Sequence, residues 1–324
     1  MKIGIIRIDK MGDMILTLPI IESIKKDNPN SIIHIYASNK NYKILKYFKY
    51  IDKIFNIDNE YYKKEKYDYI FNFSPGWKSF FLSVGIKSIN KANLIFTSRY
   101  RNKLNSKALL KIFSKIFFHK THIVNRIKRA EKNISIHQTE MMFELLDKFN
   151  ISYKKNLLIE KFLPKIRSIY STKKICLIHL SSKWINKYYN EKDFIHLIKK
   201  IENKFNIAMT TDETTRKKFI NIFDNFLVIN NKNFENINSL NKVTILENLN
   251  FANWTQIIYS SSLIITPECG CTHIAAACKI PTKIIYDADN QPDMIYKEYA
   301  PWQNKHEKFI FNEKKLNILL TKSL

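Results

Sequence analysis

The sequence predicts an α/β protein with two doubly wound domains, each a parallel sheet covered by helices on both faces. Short runs rich in Ile, Leu and Tyr alternate with stretches of helical periodicity along both halves of the chain, as parallel sheets with crossover helices require. A strand–glycine–helix element also stands towards each end of the chain, near 2–26 and 262–278. The irregular basic stretch 150–173 lies between them, so we expect domains over 1–165 and 166–324.

The first half of the chain predicts four strands and four helices, punctuated by Pro75-Gly76 and Gly85. The predicted strands are 2–8, 31–37, 67–73 and 92–96. The predicted helices are 14–26, 40–47, 77–86 and 137–149. Lysines alternate with apolar pairs between Arg99 and Arg129, which indicates an amphipathic basic helix. Such a helix contacts a membrane or a lipid acceptor, or it is an ordinary surface helix.

The second half repeats the alternation from residue 174 onwards. The predicted strands are 174–180, 207–211, 242–245, 262–266 and 282–286. The predicted helices are 191–203, 213–223, 252–260 and 271–278. The tail 311–322 has the pattern of a last helix, one that could pack back on the N-terminal domain.

Composition limits the classes of protein to be considered. The 324 residues are 45% hydrophobic and include no apolar run of 18, which argues against a membrane span. Met1-Lys2 leads directly into a strand-like run, so we expect a cytoplasmic protein, with the cytoplasmic face of the inner membrane as an alternative position. The formal charge of +25 favours anionic partners, although an excess of Lys, Asn and Ile along the whole chain explains it equally well.

The four cysteines predict neither disulfides nor a metal site. Cys176 lies in an apolar run and is expected in the core. Cys269, Cys271 and Cys278 stand near His273, but they lack the paired Cys-x2-Cys spacing of common zinc sites. We therefore expect no metal and no cofactor.

The stretch Thr266–Ala277 has the pattern of a nucleotide site. It follows the apolar run Leu263-Ile264-Ile265 and combines an acidic residue, a glycine and a helix start rich in small residues. Backbone N–H groups at a helix start suit phosphate, and the carboxylate of Glu268 suits a ribose hydroxyl. At the other end of the chain, Asp13 follows a strand and a glycine, where it is either a catalytic base or a helix N-cap.

Several motifs resemble one family in the same order along the chain. Met11-Gly12-Asp13, followed by Leu18-Pro19, is joined by Glu268-Cys269-Gly270-x-x-His273 near the C-terminus. Together they resemble the bacterial lipopolysaccharide heptosyltransferases, glycosyltransferase family nine. Weaker matches support the resemblance: Tyr67–Phe73, Ser182-x4-Lys187-Tyr188-Tyr189 and Pro301-Trp302.

The resemblance implies a GT-B fold, in which two Rossmann-like domains face a central cleft. It implies metal-independent, inverting transfer of heptose from ADP-L-glycero-D-manno-heptose to the lipopolysaccharide inner core, either on lipid A-Kdo or as a heptosyl extension. The partners would be a nucleotide sugar, an anionic glycolipid acceptor and the inner membrane as a peripheral contact.

The resemblance also implies roles for individual residues. Asp13 would be the catalytic base. The donor would be bound by residues of the C-terminal half: Ser181, Ser182, Lys187, Glu213, Glu268, Gly270, Cys271, Thr272 and His273. Gly12, from the same motif as Asp13, would face the acceptor. Independently of the resemblance, the chemistry of Arg99, Arg101 and Lys103 suits an anionic acceptor, because arginine forks bind phosphate and carboxylate; the alternative is that they form a solvated basic loop.

Three departures from the family pattern leave the donor open. Glu268 stands where the family has Asp, Tyr188-Tyr189 replaces Trp-Pro, and Asp287–Pro292 lacks the usual glycine. A transferase of the same family using another nucleotide sugar is therefore an alternative. A nicotinamide dehydrogenase is disfavoured because no G-x-G-x-x-G follows the first strand. A basic nucleic-acid-binding protein remains a further alternative, but no nucleic-acid motif occurs and no nucleic acid is expected as a partner.

Overall fold

The computed structural model describes most of the chain and divides it into two compact units. The described residues are 1–59, 65–100, 103, 107–154, 169–187, 190–219, 226–234, 239–240, 242–287, 292–302 and 304–311. Unit 1 comprises 1–162 and 293–300, and unit 2 comprises 163–292 and 301–324.

Unit 1 contains one parallel sheet, whose described strands follow the order β3-β2-β1-β4-β5-β6. The strands are β1 (Lys2–Ile6), β2 (Ile32–Ala37), β3 (Lys53–Asn56), β4 (Lys66–Asn72), β5 (Lys87–Phe96) and β6 (Lys120–Val124). The helices are α1 (Met11–Asp27), α2 (Trp77–Gly85), α3 (Ala108–Phe117), α4 (Arg126–Glu131) and α5 (Gln138–Asp147), with a 3₁₀ helix at Tyr42–Tyr47. Residues 293–300 add most of the helix Pro292–Tyr299 to this unit.

Strand β1 is the centre of unit 1, and its sequence explains why. Ile3, Ile5 and Ile6 are fully buried, as expected for a strand covered on both faces. Gly4 allows a close approach, since a Cβ there would collide with the end of the Ile70 side chain on β4. The strand order reverses between β1 and β4, and ligands of open α/β sheets bind at the carboxyl ends of strands at such a point.

Unit 2 contains a second parallel sheet, with described strands in the order β10-β12-β9-β8-β13-β14-β15 and a short β11-β7 pair beside it. The strands are β7 (Tyr170–Ser171), β8 (Lys174–His179), β9 (Phe205–Thr211), β10 (Leu227–Asn230), β11 (Ser239–Leu240), β12 (Val243–Glu247), β13 (Leu263–Pro267), β14 (Thr282–Tyr286) and β15 (His306–Ile310). The helices are α6 (Ser182–Lys187), α7 (Glu191–Glu202), α8 (Glu213–Arg216), α9 (Asn231–Phe234), α10 (Phe251–Ser260) and α11 (Gly270–Ala277). The order reverses between β8 and β13, the strands that precede α6 and α11.

The prediction of two parallel-sheet, Rossmann-like domains is confirmed, but some of the predicted elements were wrong. The first helix begins at Met11 and not at 14, so Asp13 lies inside its first turn. The segment 99–129 is not one basic helix, because α3 ends at Phe117 and β6 and α4 follow. The tail predicted as a last helix lies, from residue 312 onwards, outside the described residues.

Two further properties concern the described residues as a whole. None of their helices is long and apolar enough to cross a membrane. Their His, Cys, Asp and Glu side chains form no cluster of three or more suited to holding a metal ion.

Candidate functional site

Asp13 lies in the first turn of α1, just beyond the carboxyl end of β1. Its Oδ2 accepts a hydrogen bond from the Lys10 backbone N–H at 3.2 Å, which closes the helix start. Its Oδ1 accepts from the guanidinium of Arg7 at 3.0 Å. The side chain keeps 19% of its surface exposed. The carboxylate therefore supports the helix start and still borders solvent.

A cavity of about 230 Å³ opens beside Asp13 within unit 1. Four cationic side chains and two carboxylates are among the residues that line it. The lining residues are Arg7, Asp9, Asp13, Pro75, Phe96, Arg99, Lys107, Arg126, Gln138 and Tyr299. An excess of cations around a carboxylate suits a ligand that carries both a negative charge and a hydroxyl group.

Arg7 is the most deeply buried of these cations, at 1% exposure. Its guanidinium donates to the backbone carbonyl of Phe73, the residue after β4, and to the side chain of Gln138 at 3.3 Å. These contacts hold the guanidinium rigidly against Asp13. Sequence reasoning did not select Arg7, although a charged residue inside the apolar run Ile5–Ile8 was a signal that could have identified it.

A second group of buried charges is centred on Glu298, which is fully buried. Its carboxylate accepts from Arg99 Nε at 2.6 Å, from an Arg126 guanidinium nitrogen at 2.5 Å and from Gln138 Nε2 at 2.9 Å. Arg99 was predicted to bind the acceptor, and it does line the cavity, but one of its nitrogens is committed to Glu298. Arg126 was missed because its partner lies 172 residues away in the sequence.

The other predicted acceptor residues are more dispersed. Lys103 is exposed and is not among the cavity-lining residues, whereas Gly12 forms part of the first turn of α1. Arg101 lies outside the described residues. Lys107, which sequence reasoning did not select, lines the cavity and donates to the Pro75 carbonyl at 3.1 Å. Burial is the main reason that the pKa of Lys107 is lowered, and the neighbouring Arg126 charge lowers it further.

In unit 2, the predicted diphosphate loop forms the start of α11. Cys269 is the N-cap, Gly270 is the first helical residue, and the side chains of Cys271, Thr272 and His273 are buried. The Thr272 hydroxyl accepts from the Cys269 N–H at 3.4 Å, so it supports the helix start. The Thr272 N–H is bonded to the Cys269 carbonyl oxygen at 3.2 Å, so this loop offers an anion the positive dipole end of α11.

Two lysines of α6 reach the loops that follow β13 and β14. Lys183 Nζ lies 3.0 Å from Oε2 of Glu268 and 3.2 Å from the Glu268 carbonyl oxygen. Lys187 Nζ forms an ion pair with Asp287, which is 5% exposed. Lys183 was not selected from the sequence; it stands four residues before Lys187, one helical turn away.

The remaining predicted donor residues differ in their surroundings. Ser181 Oγ is buried without a hydrogen-bond partner among the described residues, and Ser182 begins α6. Glu213 begins α8 and forms an exposed ion pair with Lys217 at 2.7 Å. Tyr188-Tyr189 and the 288–291 part of the last loop lie outside the described residues.

His179, at the carboxyl end of β8, adds a buried titratable group to unit 2. Its Nδ1 lies 2.9 Å from the Thr210 hydroxyl, and its ring packs at 5.3 Å from that of Trp254. Burial lowers the pKa of His179 to about 4, so the ring is neutral at physiological pH.

Known proteins share both the sequence pattern and the fold. The model of glycosyltransferase family 9 (heptosyltransferase) matches residues 62–318. Heptosyltransferase WaaC of E. coli, solved with ADP, is 12% identical with a TM-score of 0.72, covering 100% of this chain and 98% of its own. The family 9 glycosyl transferase of Veillonella parvula is 14% identical with a TM-score of 0.71, over 99% and 91% of the two chains.

A third solved structure, E. coli ADP-heptose lps heptosyltransferase II, is 12% identical with a TM-score of 0.64, over 96% of this chain and 90% of that one. No curated protein sequence matches the chain. The structural likenesses confirm the predicted GT-B fold of two Rossmann-like domains.

Proposed function

The chain belongs to glycosyltransferase family 9, the heptosyltransferases, and from that premise we propose that it transfers heptose from ADP-L-glycero-D-manno-heptose to the inner core of lipopolysaccharide. The acceptor would be lipid A-Kdo or an already heptosylated core. Heptosyl-type glycosyl transfer follows from the family; the donor, the acceptor and the residue roles are our proposal.

The donor is suggested by solved relatives. E. coli WaaC has been solved with ADP and with ADP-2-deoxy-2-fluoro heptose. In this chain the start of α11 offers a helix dipole for a diphosphate, and Glu268 stands beside it for a ribose hydroxyl. Lys183 and Lys187 add two positive charges to the loops after β13 and β14.

The observation that carries the proposal is the position of Asp13 in a cavity rich in cations. A base is useful only if it lies within hydrogen-bond reach of the acceptor hydroxyl. Asp13 borders the cavity, and Arg7 fixes the orientation of its carboxylate. Arg7 and Arg126 are held by Asp13 and Glu298, so Arg99 and Lys107 are the cations that best suit the carboxylates and phosphates of an inner-core acceptor.

The proposed reaction is a single displacement at the anomeric carbon. Asp13 takes the proton of the acceptor hydroxyl while the oxygen attacks that carbon. The bond from the anomeric carbon to the β-phosphate oxygen breaks, and ADP leaves with the bonding electrons. The α11 dipole and Lys187 stabilise the negative charge that develops on the diphosphate. To do so, Lys187 must exchange part of its contact with Asp287 for a contact with phosphate.

Transfer from ADP-heptose to heptose-deficient lipopolysaccharide, with Asp13→Asn against the wild type, tests the proposal. Loss of a general base lowers kcat by roughly 10²–10⁴, while the affinity for ADP, measured by calorimetry, stays unchanged. Asp9→Asn is the matched control, because Asp9 lines the same cavity and accepts from the Ser74 hydroxyl at 2.7 Å. Full activity of Asp13→Asn together with an inactive Asp9→Asn would transfer the role of base to Asp9.

The alternative is a family 9 transferase that uses another nucleotide sugar. Glu268 is the observation that supports a different donor, because its carboxylate is already bound by Lys183. A nucleotide must share or displace that contact, and the family's Asp is one methylene shorter. A panel of nucleotide sugars, assayed by release of the nucleoside diphosphate, separates the two: turnover with ADP-heptose supports the leading proposal, and turnover with a different donor replaces it.

A further inference from the structure

An aromatic and aliphatic surface covers helices α2 and α3 of unit 1. We define this α2–α3 surface by its exposed members, Trp77, Phe81, Leu109, Ile112, Phe113, Ile116 and Phe117, each 40–68% exposed. Within α2 the ring centroids of Trp77 and Phe81 are 5.8 Å apart, and Trp77 contacts α3 through Phe113, with centroids 6.0 Å apart. Contiguous exposed apolar patches of this kind mark binding sites.

The orientation of α3 is the reverse of that expected for an ordinary surface helix. Its five exposed apolar residues, from Leu109 to Phe117, follow the i, i+3, i+4, i+7, i+8 spacing that normally faces a core. Only Leu110 and Ser114 are buried, on a narrow adjacent stripe. Lys111 and Lys115 lie on the remaining side of the helix. An apolar face towards solvent with lysines on another side is the pattern of a helix lying in a membrane interface.

The charge around this surface selects the kind of membrane. Between Asp68 and Glu131 the sequence contains thirteen Lys and Arg residues and no Asp or Glu. Four of the thirteen are paired with carboxylates from elsewhere in the chain: Lys78, Arg99, Arg126 and Arg129. Lys107, Lys111 and Lys115 lie on or beside α3. The α2–α3 surface lies wholly inside this acid-free stretch. Cationic residues near a membrane are attracted by anionic headgroups, and this attraction adds to the burial of apolar side chains.

The surface is also continuous with the cavity beside Asp13. Lys107, the residue that precedes α3, lines that cavity and donates to the carbonyl of Pro75. Pro75 lines it too and lies two residues before α2. A lipid whose acyl chains meet α2 and α3 would therefore present its headgroup near the cavity rim.

We propose that the α2–α3 surface is a membrane-docking site, which inserts its aromatic side chains into the interface of a bilayer containing anionic lipid. This proposal rests on the proposed function in one respect: a glycolipid acceptor is what would bring the protein to a membrane. Its physical basis, an apolar face within an acid-free stretch, is independent of the donor sugar.

The test is cosedimentation of the full chain with vesicles of phosphatidylcholine, with and without phosphatidylglycerol. The wild type is expected to bind the anionic vesicles, and the double variant Phe81→Ser, Ile116→Ser to lose about tenfold or more in partitioning, because two of the most exposed apolar side chains are removed. Leu227→Ser with Tyr259→Ser is the matched control; it removes one aliphatic and one aromatic side chain of 62% and 49% exposure from unit 2 and should bind as the wild type does.

Insertion is read directly from Trp77. Lipids brominated in the acyl chains should quench part of the wild-type fluorescence, and the quenching should disappear in Trp77→Phe. Absence of binding by the wild type would overturn the proposal, as would equal binding by both double variants, which would indicate attraction by charge alone. Self-association abolished by Phe81→Ser, Ile116→Ser, without vesicle binding, would assign the surface to a second copy of the chain.

Activity on a water-soluble, deacylated acceptor tests the proposed function without the need for membrane docking. The double variant Phe81→Ser, Ile116→Ser should use that acceptor at the wild-type rate and lose activity only with acceptor embedded in vesicles. A wild type that binds vesicles without using either acceptor would contradict the proposed function and leave the docking site supported.

Discussion

The buried carboxylate of Glu298 provides a sharp test of what stabilises unit 1. Glu298→Gln preserves the shape of the side chain but removes the charge that faces Arg99 and Arg126. Of the three hydrogen bonds that the carboxylate accepts, at 2.5–2.9 Å, at least one is replaced by two donors facing each other, because the new amide nitrogen cannot accept. Removing one partner of a buried ion pair costs about 3–5 kcal/mol.

The effect should be measurable by calorimetry of the full chain. For a domain of this size each kcal/mol lowers the melting temperature by about 2–4 °C, so the transition of unit 1 should fall by roughly 6–20 °C. Glu213→Gln is the control, since its ion pair with Lys217 is exposed at both ends, and it should leave the transition unchanged. A melting temperature for Glu298→Gln within about 2 °C of wild type would refute the reasoning.

A double-mutant cycle measures how strongly Glu298 and Arg126 depend on each other. If Glu298 and Arg126 act as a unit, Glu298→Gln combined with Arg126→Gln costs less than the two single changes added together. Costs that add within about 0.5 kcal/mol would mean that the two side chains act independently.

Three further outcomes are expected. Lys187→Met should weaken the binding of ADP about tenfold and leave that of AMP unchanged in calorimetry, because we propose that Lys187 contacts the second phosphate; an equal loss for both nucleotides would contradict that role. Lys183→Met should weaken the binding of ADP and AMP alike, because it leaves the Glu268 carboxylate as an unneutralised negative charge beside an anionic nucleotide, and unchanged affinities would place the nucleotide away from Glu268. The lowered pKa of His179, about 4 against an ordinary value near 6.5, means that its contribution to stability is fully present above about pH 6.5 and is lost as the pH falls towards 4. Between pH 7 and 4, urea unfolding of the wild type should therefore lose up to about 3 kcal/mol more than that of His179→Asn, and parallel losses would show that His179 is not the cause.

The fold was predictable because its central strands carry local signals. The runs at β1, β8 and β13 are continuous and apolar, as strands buried on both faces must be. The strands that were missed are less regular. β3 begins at Lys53 and β15 contains exposed Glu307 and Lys308, and these edge strands owe their conformation to the neighbour they pair with.

The candidate site was predictable only where a short motif carries it. Asp13 and the start of α11 belong to such motifs. The α1 boundary was misplaced because Lys10, the N-cap, is not a typical capping residue, and Asp13 closes the turn from within the helix. Arg126 and Glu298 were missed for another reason: each has an ordinary local sequence, and only the tertiary fold brings the two charges together.

The late position of Glu298 in the chain also bears on how the protein is synthesised. The sheet of unit 1 can grow outwards from β1 as its strands leave the ribosome, because each new strand pairs with one already made. The counter-charge of Arg126 is translated 172 residues later, which takes roughly 10–35 s at elongation rates of about 5–20 residues per second. During that interval two arginines at the nascent sheet have no carboxylate from Glu298. A chain that stops before residue 298 would keep them without it permanently, and it should be a preferred substrate for chaperones and proteases.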